Sequence, residues 1–340
     1  PSKGGGGDSA KLFWEENHMR NRVEWRDATV AEVRQIADDV RYIAFAVDGV
    51  VPRFDPGSHS NFRVEINGQP ANRTYTIIPA PSGQIAVAVK LHPQSRGGSR
   101  FMWDLQQGAA VRLTLPENRF ELSWRAPNFL LLAGGIGITP IYGMARALMA
   151  RGASLRVVYA ARSRGLMAFA EDLQDLLGGQ LVLRDNSIGE HVDLAAEFAA
   201  LPPDAECYLC GPIGMLEAAK AAWAAAGRPI SRLRYEVFGD SGLFAEKPFV
   251  VDVLNRDISV PVRSDQTLLE ALIGAGVEMI YDCQRGECGL CAVKVLEKEA
   301  EIDHRDVFFS PEEKAENHRM CACVSRLSEG RAVIDIGYRA

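Results

Sequence analysis

The chain has 340 residues, more than one hydrophobic core commonly holds, so two or three domains are expected and a single small module is excluded. With 47% apolar and 24% charged residues the composition is that of a folded globular protein, which excludes wholesale disorder. The net charge of −6 leaves no general basic surface for phosphates or acidic lipid, so neither nucleic acid nor a membrane is an expected partner.

Residues 1–21 contain the run Gly4–Gly7 and no periodicity, which suits a flexible linker or a cloning remnant. Residues 22–124 carry short β-branched runs, such as VRYIAFAV at 40–47 and RTYTII at 73–78, divided by turn sequences, and predict an antiparallel β-barrel. From 125 to 232 strand-like and helical segments alternate, which implies an α/β nucleotide-binding domain with a parallel sheet. Residues 233–248 read as a linker, and 249–340 as a hairpin, a helix, a cysteine loop and a closing strand, the pattern of a β-grasp ferredoxin domain. The longest apolar stretch, which starts at Phe129, is broken by glycines and a proline, and no leader is evident. The chain is therefore expected to be soluble and cytoplasmic.

Five of the seven cysteines lie between Cys283 and Cys323, a clustering that suggests a metal or redox site rather than disulfides. Cys283, Cys288 and Cys291 form C-x4-C-x2-C, and Cys321 follows after 29 intervening residues, the spacing of a plant-type [2Fe–2S] centre. Soft iron and sulfide call for thiolates, and Gly286 and Gly289 allow backbone amides to come close to the sulfurs. A zinc site is the alternative, but zinc sites usually join two compact pairs. Cys323 and Cys207 are expected to be packing residues.

The turn Gly134–Thr139 leaves an apolar strand and opens a helix, where backbone N–H groups and the helix dipole suit a pyrophosphate. A bare strand-to-helix turn is the other reading of it. Cys210 and Gly211 end a later strand at the carboxyl edge of the sheet, and Cys210 is either part of a ligand site or an ordinary strand cysteine. In the barrel, Arg73, Thr74, Tyr75 and Thr76 offer a charged fork, an aromatic face and hydroxyls. Arg96, Gly97, Gly98 and Ser99 precede a short helix and suit a phosphate, with a plain serine cap as the alternative. The six histidines are scattered and are expected at the surface or in loops.

These elements, in this order, resemble the phthalate dioxygenase reductase family from about Arg22 to the end. The family's R-x-Y-[ST] pattern matches Arg73, Tyr75 and Thr76, and its G-R-G-G-S turn matches Arg96 to Ser99, with Ser95 in place of the leading glycine. The resemblance implies that the barrel binds FMN, with Ala88, Val89 and Lys90 along the ring system. It also implies that Gly134, Gly135, Gly137 and Thr139 hold NADH, and that Cys210, Thr76 and Phe238 stand at the hydride-transfer site. The compact phosphate turn favours FMN over FAD. Arg162 and Arg164 would suit a 2′-phosphate and Asp185 a 2′-hydroxyl, and the resemblance favours NADH.

The implied function is an oxidoreductase that passes electrons from NADH through FMN to the cluster and on to a partner oxygenase. A Rieske oxygenase is the preferred partner, a cytochrome P450 the second, and a monomeric chain is expected. A non-enzymatic iron–sulfur carrier is the reading from another class, against which the intact glycines of the nucleotide turn speak.

Overall fold

The computed structural model describes residues 24–92, 97–238, 242, 244–254 and 256–337. The expected N-terminal linker and Arg96 lie outside the described residues.

The first unit is built from β1 (Trp25–Ala37), β2 (Val40–Val47), β3 (Ser58–Ile66), β4 (Gln69–Ile78), β5 (Gln84–Lys90), β6 (Ala110–Thr114) and β7 (Glu117–Asn118). The strands pair antiparallel in the order β4-β5-β2-β1-β6-β3-β7, and β4 also pairs with β3, closing the barrel. Phe45, Phe62, Val87, Val89 and Leu113 fill its interior, with Met102 of the helix Gly98–Asp104. Strands β2, β4 and β5 depart from simple alternation because their outer faces are also covered. Tyr42, Ala44, Ile78, Ala86 and Ala88 join one apolar cluster with Phe129, Leu131, Ile141 and Met144 of the next unit.

The second unit holds β8 (Asn128–Gly134), β9 (Ser154–Ala161), β10 (Leu181–Asp185), β11 (Glu206–Cys210) and β12 (Leu233–Glu236). All are parallel, in the order β10-β9-β8-β11-β12. Along β8, Leu131 and Ala133 face one helical layer while Leu130 and Leu132 face the other, so the sheet is buried on both sides. The order reverses between β8 and β11, and the carboxyl ends of these strands open a crevice there. One expectation needs correcting: residues 233–236, read as linker, form the edge strand β12, because Leu233 and Val237 are buried against this sheet.

The third unit contains β13 (Phe249–Val253), β14 (Ile258–Val262), β15 (Ala292–Lys298), β16 (Ile302–Asp303), β17 (Arg319–Cys321), β18 (Arg326–Leu327) and β19 (Arg331–Asp335). The main sheet runs β14-β13-β19-β15-β17, with β13 and β19 parallel, and β16 pairs with β18 apart from it. The helix Leu268–Gly274 starts with a capping box, in which Glu270 N–H donates to Thr267 Oγ1 and Thr267 N–H donates back to Glu270 Oε2. Among the described residues no helix is long and apolar enough to cross a membrane.

Trp223 anchors the layer under β11. It is fully buried, meets Phe198 edge to face at 4.9 Å and donates from Nε1 to the Pro229 carbonyl at 2.9 Å. Trp223→Ala is expected to destabilise this unit by roughly 3–5 kcal/mol, read from denaturant unfolding of the purified chain. A loss below about 1 kcal/mol would contradict the packing.

Candidate functional site

A cleft of about 1020 Å³ opens where the three units meet. The barrel contributes Arg73, Thr74, Tyr75, Thr76, Ala88, Lys90, Gly98 and Ser99. The parallel sheet contributes Gly134, Gly135, Gly137, Thr139, Gly211 and Phe238. From the third unit come Glu270, Arg285 and Cys323.

On the barrel side, β4 delivers four successive residues because it forms the rim facing the cleft. Tyr75 packs edge-on to Phe62 at 5.7 Å and leaves part of its ring toward the opening. The Thr74 hydroxyl donates to Asn61 Oδ1 at 2.6 Å, and Lys90 pairs with Asp39 at 3.2 Å. Arg73 donates to Glu270 Oε1 at 2.9 Å, so a barrel cation meets a carboxylate of the third unit. A Cβ on Gly98 would lie 2.7 Å from the Arg73 side chain, so the turn accepts the arginine only because glycine stands there. Gly97 does not line the cleft and packs against Ile66. Val89 also departs from expectation: its side chain points into the barrel core, since along β5 it faces opposite to Ala88 and Lys90.

On the sheet side, the helix Ile138–Ala150 begins at the crevice and carries no acid in its first turn. Its positive end is thus open to an anion. The Thr139 hydroxyl donates to the Ile136 carbonyl at 3.1 Å and holds the turn. Gly137 lies against β11, where a Cβ would fall 2.2 Å from the Cys210 carbonyl. Cys210 itself is a correction. Its thiol is fully buried in the core and does not line the cleft, and burial pushes it well above the ordinary thiol range. The neighbouring Gly211 is the residue that the crevice exposes. Asp185 is likewise occupied. It accepts from Ser187 N–H at 2.9 Å, Ser187 Oγ at 2.6 Å and Arg164 N–H at 2.9 Å, and it stands outside the cleft that Arg162 and Asn186 line.

The cysteine loop brings together five thiols rather than four. Cys283 meets Cys288 and Cys323, while Cys291 meets Cys321 and Cys323. Cys323 therefore bonds to thiols of both halves of the group, while the thiol bonded to Cys321 is that of Cys291. The reason is local. Cys321 ends β17 opposite Ala292, and the N–H groups of Val324 and Ser325 then fold back on the Cys321 carbonyl at 3.2 and 2.9 Å, turning Cys323 toward the loop. Hydrogen bonds from neighbouring thiols, that of Cys321 first, draw Cys291 below the ordinary thiol range. Backbone N–H groups of Arg285 and Glu287 donate to Cys283 Sγ, each at 3.4 Å. Gly286 adopts φ +75°, and a Cβ there would strike Val324 and Asp306, so the loop can close only around glycine. Paired thiols with amide donors fit a two-iron cluster, which takes four thiolates.

Arg285 and Glu287, which the sequence suggests at a docking surface around the cluster loop, belong to a charged group behind that loop. Arg285 (8% exposed) pairs with Glu236 (2% exposed) of β12 and with Glu287 at 3.1 Å. Arg119 of the barrel grips Asp282, the residue before Cys283, at 3.2 and 3.3 Å. His59, expected at the surface or in a loop, is a buried residue of β3, and burial followed by Arg285 and Arg119 pushes it down to about 3. No local signal marked Glu236, Arg119 or His59, since each acquires its environment from another unit.

Comparison with known proteins accords with this geometry. Residues 251–328 match a family described as 2Fe-2S iron-sulfur cluster binding domain, and residues 131–221 match the oxidoreductase NAD-binding domain. The chain is 36% identical to the tetrachlorobenzoquinone reductase of Sphingobium chlorophenolicum, over 94% of this chain and 100% of that one. It is also 36% identical to a putative toluene-4-sulfonate monooxygenase system reductase subunit of Comamonas testosteroni, over 91% and 98%. Among solved structures, phthalate dioxygenase reductase aligns with a TM-score of 0.74 and 29% identity, over 92% of this chain and 98% of that one.

The depressed His59 binds its proton far less readily folded than unfolded, so stability is lost as pH falls below the unfolded value near 6.5 and toward about 3. Relative to His59→Gln, the wild-type chain should lose about 2 kcal/mol between pH 7 and pH 5 in paired denaturant titrations. A constant difference between the two would contradict the neutral, buried imidazole.

Proposed function

The chain belongs to the phthalate dioxygenase reductase family of oxygenase reductases, and on that premise we propose that it takes electrons from NADH through FMN to a [2Fe–2S] cluster and hands them singly to a terminal oxygenase. The observation that carries this reading is the shared cleft, on which the barrel's R-T-Y-T strand, the glycine turn of the parallel sheet and the cysteine loop all converge. Bound FMN supplies the conversion of a hydride into single electrons, chemistry that side chains lack. The protein's part is to hold, orient and separate.

Arg73 and Ser99 are assigned to the FMN phosphate, with Tyr75 and Phe238 flanking the ring and Thr76, Ala88 and Lys90 along its edge. Gly134, Gly135 and Gly137 are assigned to the NADH pyrophosphate, and Gly211 to the nicotinamide side, while Cys210 acts through its carbonyl and its packing. Cys283, Cys288, Cys291 and Cys323 are assigned as the cluster ligands, because Cys323 bonds to both Cys283 and Cys291 whereas Cys321 bonds to Cys291, and Cys321 is assigned to packing.

The partner reading draws on charge. Residues 249–340 hold 17 Asp and Glu against 11 Lys and Arg, so the entire excess of acid lies at the cluster end, beside exposed Leu290 and Phe308. An oxygenase with a basic surface around its own metal would fit, and a Rieske oxygenase is preferred over a cytochrome P450. A small quinone is the second acceptor, favoured by the likeness to a quinone reductase.

Purified protein should carry flavin and iron–sulfur absorption that NADH bleaches, and a colourless, zinc-containing protein would refute the reading. Cys288→Ser should abolish cytochrome c reduction while NADH still reduces the flavin. Loss of both would mean that the two redox sites are not separable. Cys323→Ser should abolish the cluster's spectrum and Cys321→Ser should retain it, and the reverse pattern would return the fourth ligand to Cys321. Arg73→Ala should weaken FMN binding roughly 10- to 100-fold, the worth of a charge-assisted hydrogen bond, as measured by flavin fluorescence.

A further inference from the structure

The ion pair between Glu236 and Arg285 crosses from the parallel sheet to the cysteine loop, and neither residue is assigned to nucleotide, flavin or iron. Arg285 faces two ways. Its backbone N–H donates to Cys283 Sγ at 3.4 Å, and its guanidinium donates to Glu236 Oε1. Among the described residues, Glu236 Oε2 is buried without a hydrogen-bond partner, and so is Arg285 Nε. A buried carboxylate with one oxygen bonded to Arg285 and the other without a partner among the described residues has room for one proton and an electrostatic reason to take it.

The groups that face Glu236 are few. Arg285 and Glu287 approach from the cysteine loop and Cys210 lies beside it on β11, while His59 and Arg119 of the barrel stand behind Arg285. Burial pushes Glu236 up to about 7, with Arg285 opposing the shift and Glu287 adding to it. Small changes of charge on the loop would then decide its protonation near neutral pH.

We propose that Glu236 takes up a proton when the cluster on the neighbouring loop gains an electron, with Arg285 as the positioning residue that conveys the charge from one to the other. The inference rests on the reading that the loop holds a two-iron cluster. In the balanced step one electron arrives from the flavin, one ferric iron becomes ferrous, and one proton passes from solvent to Glu236 Oε2. Cluster and carboxylate together gain no net charge. Coupling of this kind is reciprocal: if reduction tightens proton binding, protonation raises the reduction potential by the same free energy. The potential is then level at acid pH, where Glu236 is protonated in both redox states, and it falls as pH rises through neutrality.

The test is a set of redox titrations on the full, cluster-loaded chain from pH 5.5 to 9, followed by the electron paramagnetic resonance of the reduced cluster. Wild type should show the level acid limb and the fall above it, Glu236→Asp should retain the fall, and Glu236→Gln should be level throughout. Redox-difference infrared spectra should show a carboxylic acid C=O band appearing on reduction above neutral pH, and this band should be lost in Glu236→Gln. A level wild-type profile with a normal cluster spectrum would overturn the proposal, as would an unchanged slope in Glu236→Gln. A chain without any two-iron spectrum would instead refute the cluster reading beneath it. Should Glu236→Gln fail to fold, the wild-type pH series and infrared band decide by themselves.

Discussion

The apolar seam between the barrel and the parallel sheet is the constraint on which the site depends. Strands β2 and β5 and the end of β4 are buried on both faces, one set of side chains filling the barrel and the other packing on the helix Ile138–Ala150 and its sheet. Such double burial leaves little freedom to slide, because a shift would expose Tyr42, Ile78 and Ala88 on one side and open voids on the other. The glycine turn of β8 and the R-T-Y-T strand are held across a common opening as a result.

Charged contacts place the third unit on that frame. Arg73 meets Glu270, Arg119 meets Asp282 and Arg285 meets Glu236, so each contact joins a residue of the third unit to a residue of another. They are not equal. The Arg119 and Arg73 pairs are partly open to water and contribute modestly, whereas Glu236 and Arg285 are desolvated, so that each is held mainly by its partners in the protein. This buried pair also ties the cysteine loop in one orientation to the sheet whose crevice receives the nucleotide.

Much of the site was legible in sequence because its chemistry is local. The C-x4-C-x2-C spacing, the turn after β8 and the R-T-Y-T strand each state a requirement met by neighbouring residues. The structure departs from expectation where a side chain's direction depends on something distant. Val89 and Cys210 sit on the expected strands but point into cores. Asp185 closes a turn with Ser187 and Arg164. Cys321 and Cys323 are almost equivalent in spacing, and only the end of β17 and the turn after it separate them.

By itself the sequence determined the three kinds of fold and the order in which they occur, since period, glycine turns and cysteine spacing are properties of short segments. It also determined the barrel and nucleotide-turn residues that line the cleft, apart from those whose side chains turn away. Tertiary structure decided which thiols gather, that Leu233–Glu236 is a strand, and that Glu236, His59 and Arg285 share a buried electrostatic site. The physical reason is that burial and Coulomb energy depend on separation in space. Glu236 and Arg285 are 49 residues apart in the chain and acquire their shared properties only when two units dock.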